Sequence, residues 1–405
     1  MIRKLKNLKK PIRVGLVGAG CMGKGIAHQI SITPGMSLEW IADKNPQIAQ
    51  ELAALTKTET HGSDTHHLLR ENPVDVFVEA TNTIWSAYQY CETALDNGAH
   101  VVLMNAEVDL IFGSTLCHLA AGKKLIVTSD AGDQHGVLAT MIQEIQLWGF
   151  EIIQAGNIKG FLNRHATSAE LLHEAAKRNL SPIQCCAYTD GTKLNIEMAA
   201  LANAFGLPPT QTGMTGPAIS HVDQALEAFD LDAIPENTGT VDYILGSEPG
   251  GGVYVIAKCE NPIQKPYLEY YKIGQGPYYL FKRDYHLCHL ETTTAIAKII
   301  LHQEPTLQPW AGRITDVYAF AKTDIPAHTT IPHGIGGDHF YGLIATTQEA
   351  IKNDWVPIAL LDAETQQAIT SAPLDKDQVL TWKHLQPFHP AMVELYNTPA
   401  NSNPV

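Results

Sequence analysis

Three ionisable residues stand close together at the start of a predicted helix. In YTDGTKLNIEMAALANAFG, residues 188–206, Asp190 and Lys193 lie at the helix entrance and Glu197 follows one turn later. Residues three and four apart occupy neighbouring positions on a helix face. A lysine partly desolvated among dipoles can polarise a carbonyl oxygen and transfer a proton. We predict that Lys193 is catalytic and that Asp190 and Glu197 hold its ammonium group; a capped surface helix is the alternative.

A glycine-rich loop near the N-terminus predicts a dinucleotide site. IRVGLVGAGCMGKGIAHQI contains an apolar strand, a G-x-G-x-x-G turn and a helical pattern, in that order. Glycines permit the tight turn and the close approach of backbone to a pyrophosphate, which the free N–H groups at the helix start can bind. The predicted cofactor contacts in this loop are Gly18, Gly20, Cys21, Met22 and Gly23.

The strand ends that follow supply further candidates for the cofactor site. SLEWIAD ends at Asp43, where a partner for a ribose hydroxyl is expected. A carboxylate beside a 2′-phosphate is repulsive and favours NAD, but Lys44 directly after it could reach that phosphate, so the choice between NAD and NADP stays open. Ligands of such sheets bind beyond the carboxyl ends of the strands, which adds Thr81, Asn82 and Asn105.

The elements that must position these residues change character along the chain. Buried strands such as VDVFVEAT alternate with helices up to about residue 150, which predicts an α/β fold with a doubly wound parallel Rossmann sheet. Long loops and turn clusters follow, and then short strands broken by Pro and Gly. We assign 1–150 to the dinucleotide-binding domain, 151–310 to an α+β substrate-binding and dimerisation domain, 311–392 to a small β-rich domain and 393–405 to a disordered tail.

Composition restricts the class of partner. A net charge of −14 argues against a general nucleic-acid binder, and no apolar run approaches the length needed to cross a bilayer. Seven cysteines, an odd number without a C-x-x-C pair, fit a reduced compartment. We expect a cytoplasmic homodimer that acts on a small molecule and binds neither nucleic acid nor membrane.

Basic residues and histidines gather in YYKIGQGPYYLFKRDYHLCHLETTTAIAKIIL. Its H-x-x-H-x-E spacing suits zinc only if further ligands come from elsewhere in the chain, so no metal ligand is assigned. Structural histidines are a second interpretation; we favour a third, the binding of an anionic substrate. The predicted substrate-binding residues, here and upstream, are Lys159, Arg164, Lys272, Arg283, His286 and His289.

Several stretches carry a family resemblance. VGAGCMGKGIAHQI, VFVEAT, HVVLMNAEVD, YTDGTKLNIEMAALANAFGL, GPYYLFKRDYHLCHLE and AFAKTDIPAHTTI together resemble the homoserine-dehydrogenase-like oxidoreductases that carry a C-terminal SAF domain. The resemblance covers about residues 12–390 and implies an NAD(P)-dependent oxidoreductase whose residues 311–392 are SAF-like. One branch of that family contains the deoxyxylulose-phosphate-reductoisomerase-like enzymes, which convert 1-deoxy-D-xylulose 5-phosphate into 2-C-methyl-D-erythritol 4-phosphate.

Two short motifs depart from the family pattern. Homoserine dehydrogenases have A-N-K after the strand that reads HVVLMN here, whereas this chain has NAE at 105–107 and lacks that lysine. Relatives tend to have G-D-E-P-G where this chain has GDQHG at 132–136. These differences argue against homoserine as the substrate and indicate a substrate different from that of the reductoisomerase branch.

The expected activity is the NAD(P)H-dependent reduction of a small, phosphorylated hydroxy-carbonyl compound, with skeletal rearrangement of the reductoisomerase type as its extension. A rearrangement is helped by Mg²⁺ or Mn²⁺ polarising two adjacent oxygens, and the candidate carboxylates are Glu107, Asp130, Asp133, Asp190 and Glu197. Two alternatives stay open: reduction of an amino-acid semialdehyde by a homoserine-dehydrogenase-type enzyme, and a non-catalytic NAD(P)-sensing protein.

Overall fold

The computed structural model describes residues 1–178, 180–235, 237–362, 364 and 366–398. The strands in this part of the chain are β1 Ile12–Val17, β2 Met36–Ala42, β3 Thr60–Gly62, β4 Val76–Glu79, β5 His100–Leu103, β6 Val127–Ser129, β7 Glu151–Lys159, β8 Thr240–Leu245, β9 Val253–Lys258, β10 Tyr278–Arg283, β11 Thr315–Ala321, β12 Thr330–Ile331, β13 Phe340–Thr346 and β14 Ala368–Ile369.

The helices of the described residues connect and cover these strands. They are α1 Ile2–Lys6, α2 Cys21–Ile32, α3 Pro46–Thr56, α4 Thr65–Glu71, α5 Trp85–Asp96, α6 Ala106–Gly122, α7 Gln134–Leu147, α8 Leu172–Arg178, α9 Pro182–Thr189, α10 Thr192–Phe205, α11 Ala225–Ala228, α12 Lys265–Tyr270, α13 Cys288–His302, α14 Thr347–Asn353 and α15 Pro390–Asn397. None of them combines the length and apolarity needed to cross a bilayer.

The first six strands form one parallel sheet in the order β3-β2-β1-β4-β5-β6. The predicted α/β class and the doubly wound parallel sheet are therefore confirmed. Val17 at the end of β1 is aligned with Ala42 on one side and Glu79 on the other, and Glu79 is aligned with Leu103. The loops that follow these strands consequently share one edge of the sheet, at the point where the strand order reverses and ligands of such sheets bind.

The second sheet has the order β10-β9-β7-β8 and mixes parallel and antiparallel pairs. After β10 the chain returns to the first sheet, because α13 packs against α2 and buries Ala295, Ile296 and Ile299 in the same apolar cluster as Ile26 and Ile30. Residues 288–302, which the sequence assigns to the central domain, therefore contribute to the core of the dinucleotide-binding part. The start of α13 is held beside the edge of the first sheet.

The helix α10 is buried along nearly its whole length and connects the central part of the chain to the C-terminal strands. Thr192 Oγ1 accepts a hydrogen bond from the Gly342 amide, and Asn195 Oδ1 accepts one from the Ile344 amide, each at 2.9 Å. Both amides belong to β13, so polar side chains of the helix satisfy the backbone of a strand edge that would otherwise lack partners. This burial excludes the alternative of a capped surface helix.

The C-terminal strands form two antiparallel pairs, β11 with β13 and β12 with β14. The prediction that the tail from residue 393 is disordered is wrong for residues 393–397, which belong to α15. That helix is anchored because the Tyr396 hydroxyl donates to Asp316 Oδ2 at 2.7 Å and the Arg313 guanidinium lies over the Tyr396 ring. Residues 399–405 lie outside the described residues, and the SAF-like nature of 311–392 stays a prediction.

A buried ion pair joins the C-terminal strands to the start of α10. Lys322 Nζ lies 2.9 Å from Asp190 Oδ2, and both side chains are 0% exposed. Lys322 Nζ also donates to the carbonyls of Ala166 and Gly337 at 2.8 Å each. Asp190 Oδ1 accepts from the Thr192 amide at 2.8 Å. The pair thus orders the turn between α9 and α10.

We predict that Lys322→Met destabilises the protein by about 3–5 kcal/mol, because it leaves the Asp190 carboxylate buried without its cation. Urea unfolding followed by circular dichroism measures the free energy of unfolding. Arg178→Met is the matched control, since it breaks the exposed Arg178–Glu174 pair and should change little. A Lys322→Met variant as stable as the control would show that the buried pair does not hold this turn.

Candidate active site

The glycine loop has the geometry of a dinucleotide-binding turn. It connects β1 to α2, and Gly20 is the N-cap residue of the helix without any side-chain cap. A Cβ atom on Gly23 would lie 1.7 Å from the Gly18 carbonyl oxygen, so the turn closes only with glycine there. A Cβ atom on Gly20 would meet no atom within 4 Å. Gly20 therefore faces the open space in front of the helix N-terminus, where a pyrophosphate would bind.

The predicted ribose partner is fixed against this loop. Asp43 Oδ2 accepts a hydrogen bond from the Ala19 amide at 2.8 Å, and Oδ1 accepts one from the Asn45 amide at 2.9 Å. The carboxylate thus stands at the end of β2 beside the glycine turn, which fits a ribose hydroxyl. Lys44 is exposed next to it, as is Cys21 in the loop, while Met22 is half-buried.

The loops after β4 and β5 carry the remaining cofactor candidates. Asn105 caps α6 and donates to the Thr83 carbonyl at 2.6 Å, which holds the two loops together. The Thr81 amide donates to Glu79 Oε1 at 2.8 Å, while Asn82 is exposed beside it. The sequence analysis missed Glu79, which is fully buried. An acidic residue at the end of the apolar strand VFVE is the feature that could have identified it as a candidate site residue. Burial raises the pKa of Glu79 to about 7.

Lys193 extends from the start of α10 to the dinucleotide sheet. Its ammonium group binds the Glu107 carboxylate, which lies at the start of α6 just after β5. The side chains are 21% and 12% exposed, so the pair lies at the wall of a cleft rather than in the core. Burial acts to lower the pKa of Lys193, but neighbouring Glu107 and Tyr188 outweigh it and raise that pKa above its usual range. The lysine is therefore charged at neutral pH.

The predicted partners of this lysine were wrong. Asp190 pairs with Lys322, and Glu197 Oε2 lies 3.6 Å from Lys159 Nζ. The reason for the first error is the turn between two helices: Asp190 is the C-cap residue of α9, whereas Lys193 is the second residue of α10, after a left-handed Gly191 with φ of 85°. Sequence proximity placed the residues together, but the turn points them apart. Glu107 stands where homoserine dehydrogenases have lysine. This departure from the family pattern is the feature of the sequence that could have identified Glu107 as the partner of Lys193.

A hydrogen-bonded polar row lies between α7, β7 and α10. Gln134 Oε1 accepts from Lys159 Nζ at 2.7 Å and from Asn157 Nδ2 at 3.0 Å. Asn157 Nδ2 also donates to Glu197 Oε2 at 2.7 Å. Burial raises the pKa of Glu197, and the charge of Lys159 opposes that rise. Glu197 and Lys159 are thus brought together as predicted site residues, whereas Gln134 and Asn157 were missed.

Asp133, His286 and Cys288 form a third group at the same cleft. Asp133 caps α7 by accepting from the Gln134 amide at 2.9 Å, and His286 Nδ1 lies 2.7 Å from the Gly251 carbonyl oxygen. One potential ligand atom of each of the three residues lies within 4.8 Å of the others. Burial acts to raise the pKa of Asp133, but neighbouring positive charge, chiefly His135, outweighs it and lowers that pKa.

Asp130 lies three residues before Asp133 and orders the turn that carries it. Its Oδ1 accepts from the Gly132 amide at 2.6 Å, so the buried carboxylate shapes the turn that carries Asp133. Burial raises the pKa of Asp130 to about 7. The residue is therefore a support of the loop rather than a group that faces the cleft.

The other predicted substrate-binding residues do not converge. His289 packs its ring against Gly25 of α2 and does not pair with His286. Arg283 forms a two-point ion pair with Glu291, with distances of 3.0 and 2.7 Å. Lys272 comes before β10, near the end of the strand at which Tyr278 pairs with Lys258. The other end of β10 is the one next to Gly252. Arg164 is exposed beside Tyr243. Of the six, only Lys159 and His286 belong to the polar row or to the group of Asp133, His286 and Cys288.

Comparisons with known proteins match two parts of the chain. The NAD-binding domain of homoserine dehydrogenase matches residues 18–129, and the catalytic domain of oxidoreductase DRL matches residues 132–292. The first match contains the glycine loop and Glu107, and the second contains Lys193. No curated relative matches the sequence.

Solved structures that resemble the chain do so at low identity. A probable dehydrogenase from Thermotoga maritima is 11% identical over 73% of this chain and 90% of that chain, with a TM-score of 0.44. A scyllo-inositol dehydrogenase from Lactobacillus casei with bound NAD(H) and scyllo-inositol is 12% identical over 73% of this chain and 91% of that chain, with a TM-score of 0.41.

A third solved structure is matched over a shorter stretch. It is an oxidoreductase from Agrobacterium radiobacter in complex with NAD⁺, L-tartaric acid and magnesium, 14% identical with a TM-score of 0.32. The match covers 38% of this chain and 46% of that chain, which is less than half its length.

The fold and the site define the class of the protein. A parallel sheet of Rossmann order, a dinucleotide turn at its switch point and matches to an NAD-binding domain and an oxidoreductase catalytic domain make the chain an NAD-dependent oxidoreductase. The predicted enzyme class is therefore confirmed.

We predict that Gly20→Val weakens NADH binding at least about 10-fold without loss of the fold, since its side chain enters open space where the pyrophosphate is expected. Quenching of tryptophan fluorescence by NADH measures affinity, and thermal unfolding checks the fold. Gly23→Ala is the contrasting variant, because it collides with backbone and should lower stability instead. Unchanged NADH affinity in a folded Gly20→Val variant would place the pyrophosphate elsewhere.

We predict that Glu107→Gln lowers the pKa of Lys193, because it removes the negative charge bound to the ammonium group. Neutral, acylation-reactive Lys193 should then appear at lower pH than in the unaltered protein. The measurement is the acylation rate of Lys193 from neutral to alkaline pH, followed by mass spectrometry with exposed Lys57 as internal reference. Exposed Glu144→Gln is the control, and an identical pH profile in both variants would contradict the assignment.

Proposed function

We propose that the protein reduces the carbonyl group of a small hydroxy-carbonyl compound, with Lys193 as the charged hydrogen-bond donor to the carbonyl oxygen. The observation that carries this proposal is the contact between Lys193 of α10 and Glu107 of the dinucleotide-binding part. Through it, an ammonium group stands at the edge of the sheet where the nicotinamide half of the cofactor is expected. When bound, the cofactor supplies the hydride.

The charge of Lys193 suits hydride transfer to a carbonyl group. Negative charge develops on the carbonyl oxygen as hydride reaches the carbon, and a fixed cation there stabilises the transition state. The raised pKa keeps Lys193 protonated at neutral pH, so it can donate a proton to the forming alkoxide. Glu107 orients the ammonium group and compensates its charge in the absence of substrate.

The polar row beside Lys193 supports a substrate that carries a hydroxyl group. Glu197 offers a carboxylate acceptor, and Lys159 and Gln134 present a donor and an amide within the same row. Lys159, the partly exposed member of the row, can donate a hydrogen bond to a hydroxyl next to the reacting carbonyl, and the buried Glu197 and Gln134 orient it. A phosphate group on the substrate has weaker support, because Arg283 is bound to Glu291 and Lys272 lies at the far end of the sheet.

Skeletal rearrangement before reduction is the second candidate function. It is favoured by one observation, the presence of Asp133 and His286 as potential cation ligands close to the carbonyl-polarising lysine. A bound cation could polarise adjacent hydroxyl and carbonyl oxygens together while a carbon–carbon bond moves. Reduction of an amino-acid semialdehyde is less favoured, because Glu107 replaces the lysine of the homoserine enzymes.

The experiment is to follow oxidation of NADH and of NADPH with 1-deoxy-D-xylulose 5-phosphate, aspartate semialdehyde and unphosphorylated hydroxy-ketones. Each reaction is run with Mg²⁺, with Mn²⁺, with Zn²⁺ and with a chelator. Turnover of hydroxy-ketones supports the proposal, and metal-dependent turnover of the deoxyxylulose substrate supports the rearrangement. Turnover of the semialdehyde alone would overturn both.

We predict that Lys193→Met lowers kcat on the accepted substrate by about 100-fold or more while NADH affinity stays unchanged, because the acid and the charge at the carbonyl oxygen are lost. Steady-state kinetics and NADH titration measure the two quantities. Lys177→Met, at an exposed helix position, is the control. Retention of kcat in a folded Lys193→Met variant would remove this lysine from the chemistry.

A further inference from the structure

Asp133, His286 and Cys288 offer an unusual set of donor atoms at one point of the cleft. Asp133 is the N-cap residue of α7, His286 lies in the loop after β10 and Cys288 begins α13, so three separate elements meet there. A carboxylate oxygen, a ring nitrogen and a sulfur atom of these residues all lie within 4.8 Å of one another. We propose that they bind a divalent transition-metal ion of borderline softness, Zn²⁺ in particular.

The geometry is close to that of a three-ligand zinc site. Bond lengths of about 2.0–2.3 Å around a tetrahedral ion place neighbouring ligand atoms roughly 3.5 Å apart. Closing the group from its present spacing needs movements of about 1 Å or less, which side-chain rotation supplies. Three protein ligands and one free position are the usual arrangement of catalytic zinc.

The orientation of the histidine is the second, independent sign of a metal site. His286 Nδ1 lies 2.7 Å from the Gly251 carbonyl oxygen, so this nitrogen carries the proton and donates it. The other ring nitrogen, Nε2, is then a free electron-pair donor. Metal-binding histidines are characteristically fixed in this way by a carbonyl or carboxylate.

The identity of the donors decides which ion fits. Thiolate and imidazole are poor ligands for Mg²⁺, which prefers a nearly complete octahedron of oxygen atoms. They suit Zn²⁺ and Co²⁺, whose affinity for nitrogen and sulfur ligands is high. The Cys288 thiol releases its proton to solvent when the metal–sulfur bond forms, while Asp133 binds as a carboxylate and His286 as a neutral ring.

A bound ion would lie among the groups assigned to the proposed function. The charge of His286 acts on Glu197, and that of Asp133 acts on Lys193, so a bound ion would lie near the lysine of the proposed function. A substrate oxygen would complete the coordination opposite the three protein ligands. This use of the ion in catalysis rests on the proposed function, whereas binding of the ion does not.

The test is a titration of the full-length, chelator-stripped protein with Co²⁺, without cofactor or substrate. We expect one equivalent to bind, with near-ultraviolet thiolate-to-Co²⁺ charge-transfer absorption and strong visible bands of a tetrahedral ion, both bleached by Zn²⁺ and unaffected by equal Mg²⁺. Cys288→Ser should abolish the charge-transfer band, and both Cys288→Ser and His286→Gln should weaken Co²⁺ binding by about 100-fold or more. Circular dichroism shows whether each variant is folded.

Cys21→Ser is the matched control, because it removes the exposed thiol of the glycine loop and leaves the group intact. Loss of the band in Cys21→Ser, its persistence in Cys288→Ser, or displacement of Co²⁺ by equal Mg²⁺ would each overturn the proposed site. Normal Co²⁺ binding without reduction of any carbonyl compound would leave the site in place and overturn the proposed function. Metal-independent turnover of a carbonyl compound by a protein that does not bind Co²⁺ would overturn the proposed site and leave the proposed function in place.

Discussion

The position of α10 is the constraint on which the candidate site depends. A buried ion pair, Asp190 with Lys322, fixes the turn at which the helix begins, and Thr192 and Asn195 bind the edge of β13 along its first turns. A buried charge is tolerated only when it is paired and hydrogen-bonded, so these contacts permit little movement of the helix start. Lys193 is therefore presented to the dinucleotide sheet from a rigid support.

The ionisable groups around Lys193 are arranged so that opposite charges are neighbours. Lys193 binds Glu107, Lys159 lies beside Glu197, and the positive charges of His135, His286 and Lys193 lower the pKa of Asp133. Such mutual compensation lets charged groups persist where water is partly excluded, and there their effect on a reacting carbonyl is strongest. Loss of one residue of such a charge pair would therefore shift the pKa of the other, in addition to removing the contact between them.

The two departures from the family pattern acquire a structural meaning. Glu107 stands where the homoserine enzymes have a lysine and binds Lys193, so the ammonium group at this point comes from α10 instead of from the sheet edge. Gln134 replaces an acid and accepts hydrogen bonds from Lys159 and Asn157. With a neutral amide there, the carboxylate of the row is that of Glu197.

Local pattern was sufficient for the dinucleotide-binding part. Apolar strands, a glycine turn and Asp43 at a strand end are encoded within short segments, because the turn, the helix start and the parallel crossover each depend on neighbouring residues. The parallel sheet and its switch point follow from the alternation of strands and helices up to about residue 150. The enzyme class was accessible from the same residues.

The partners of charged side chains required the tertiary structure. Asp190 and Lys193 are three residues apart, yet a left-handed glycine turns one toward the C-terminal strands and the other toward the cleft. The return of α13 to α2 likewise places Cys288 beside Asp133, more than a hundred residues earlier in the chain. The sequence alone determined which chemical groups are present and which local elements carry them; long-range packing decided which groups meet, because burial selects partners by space and charge and not by separation along the chain.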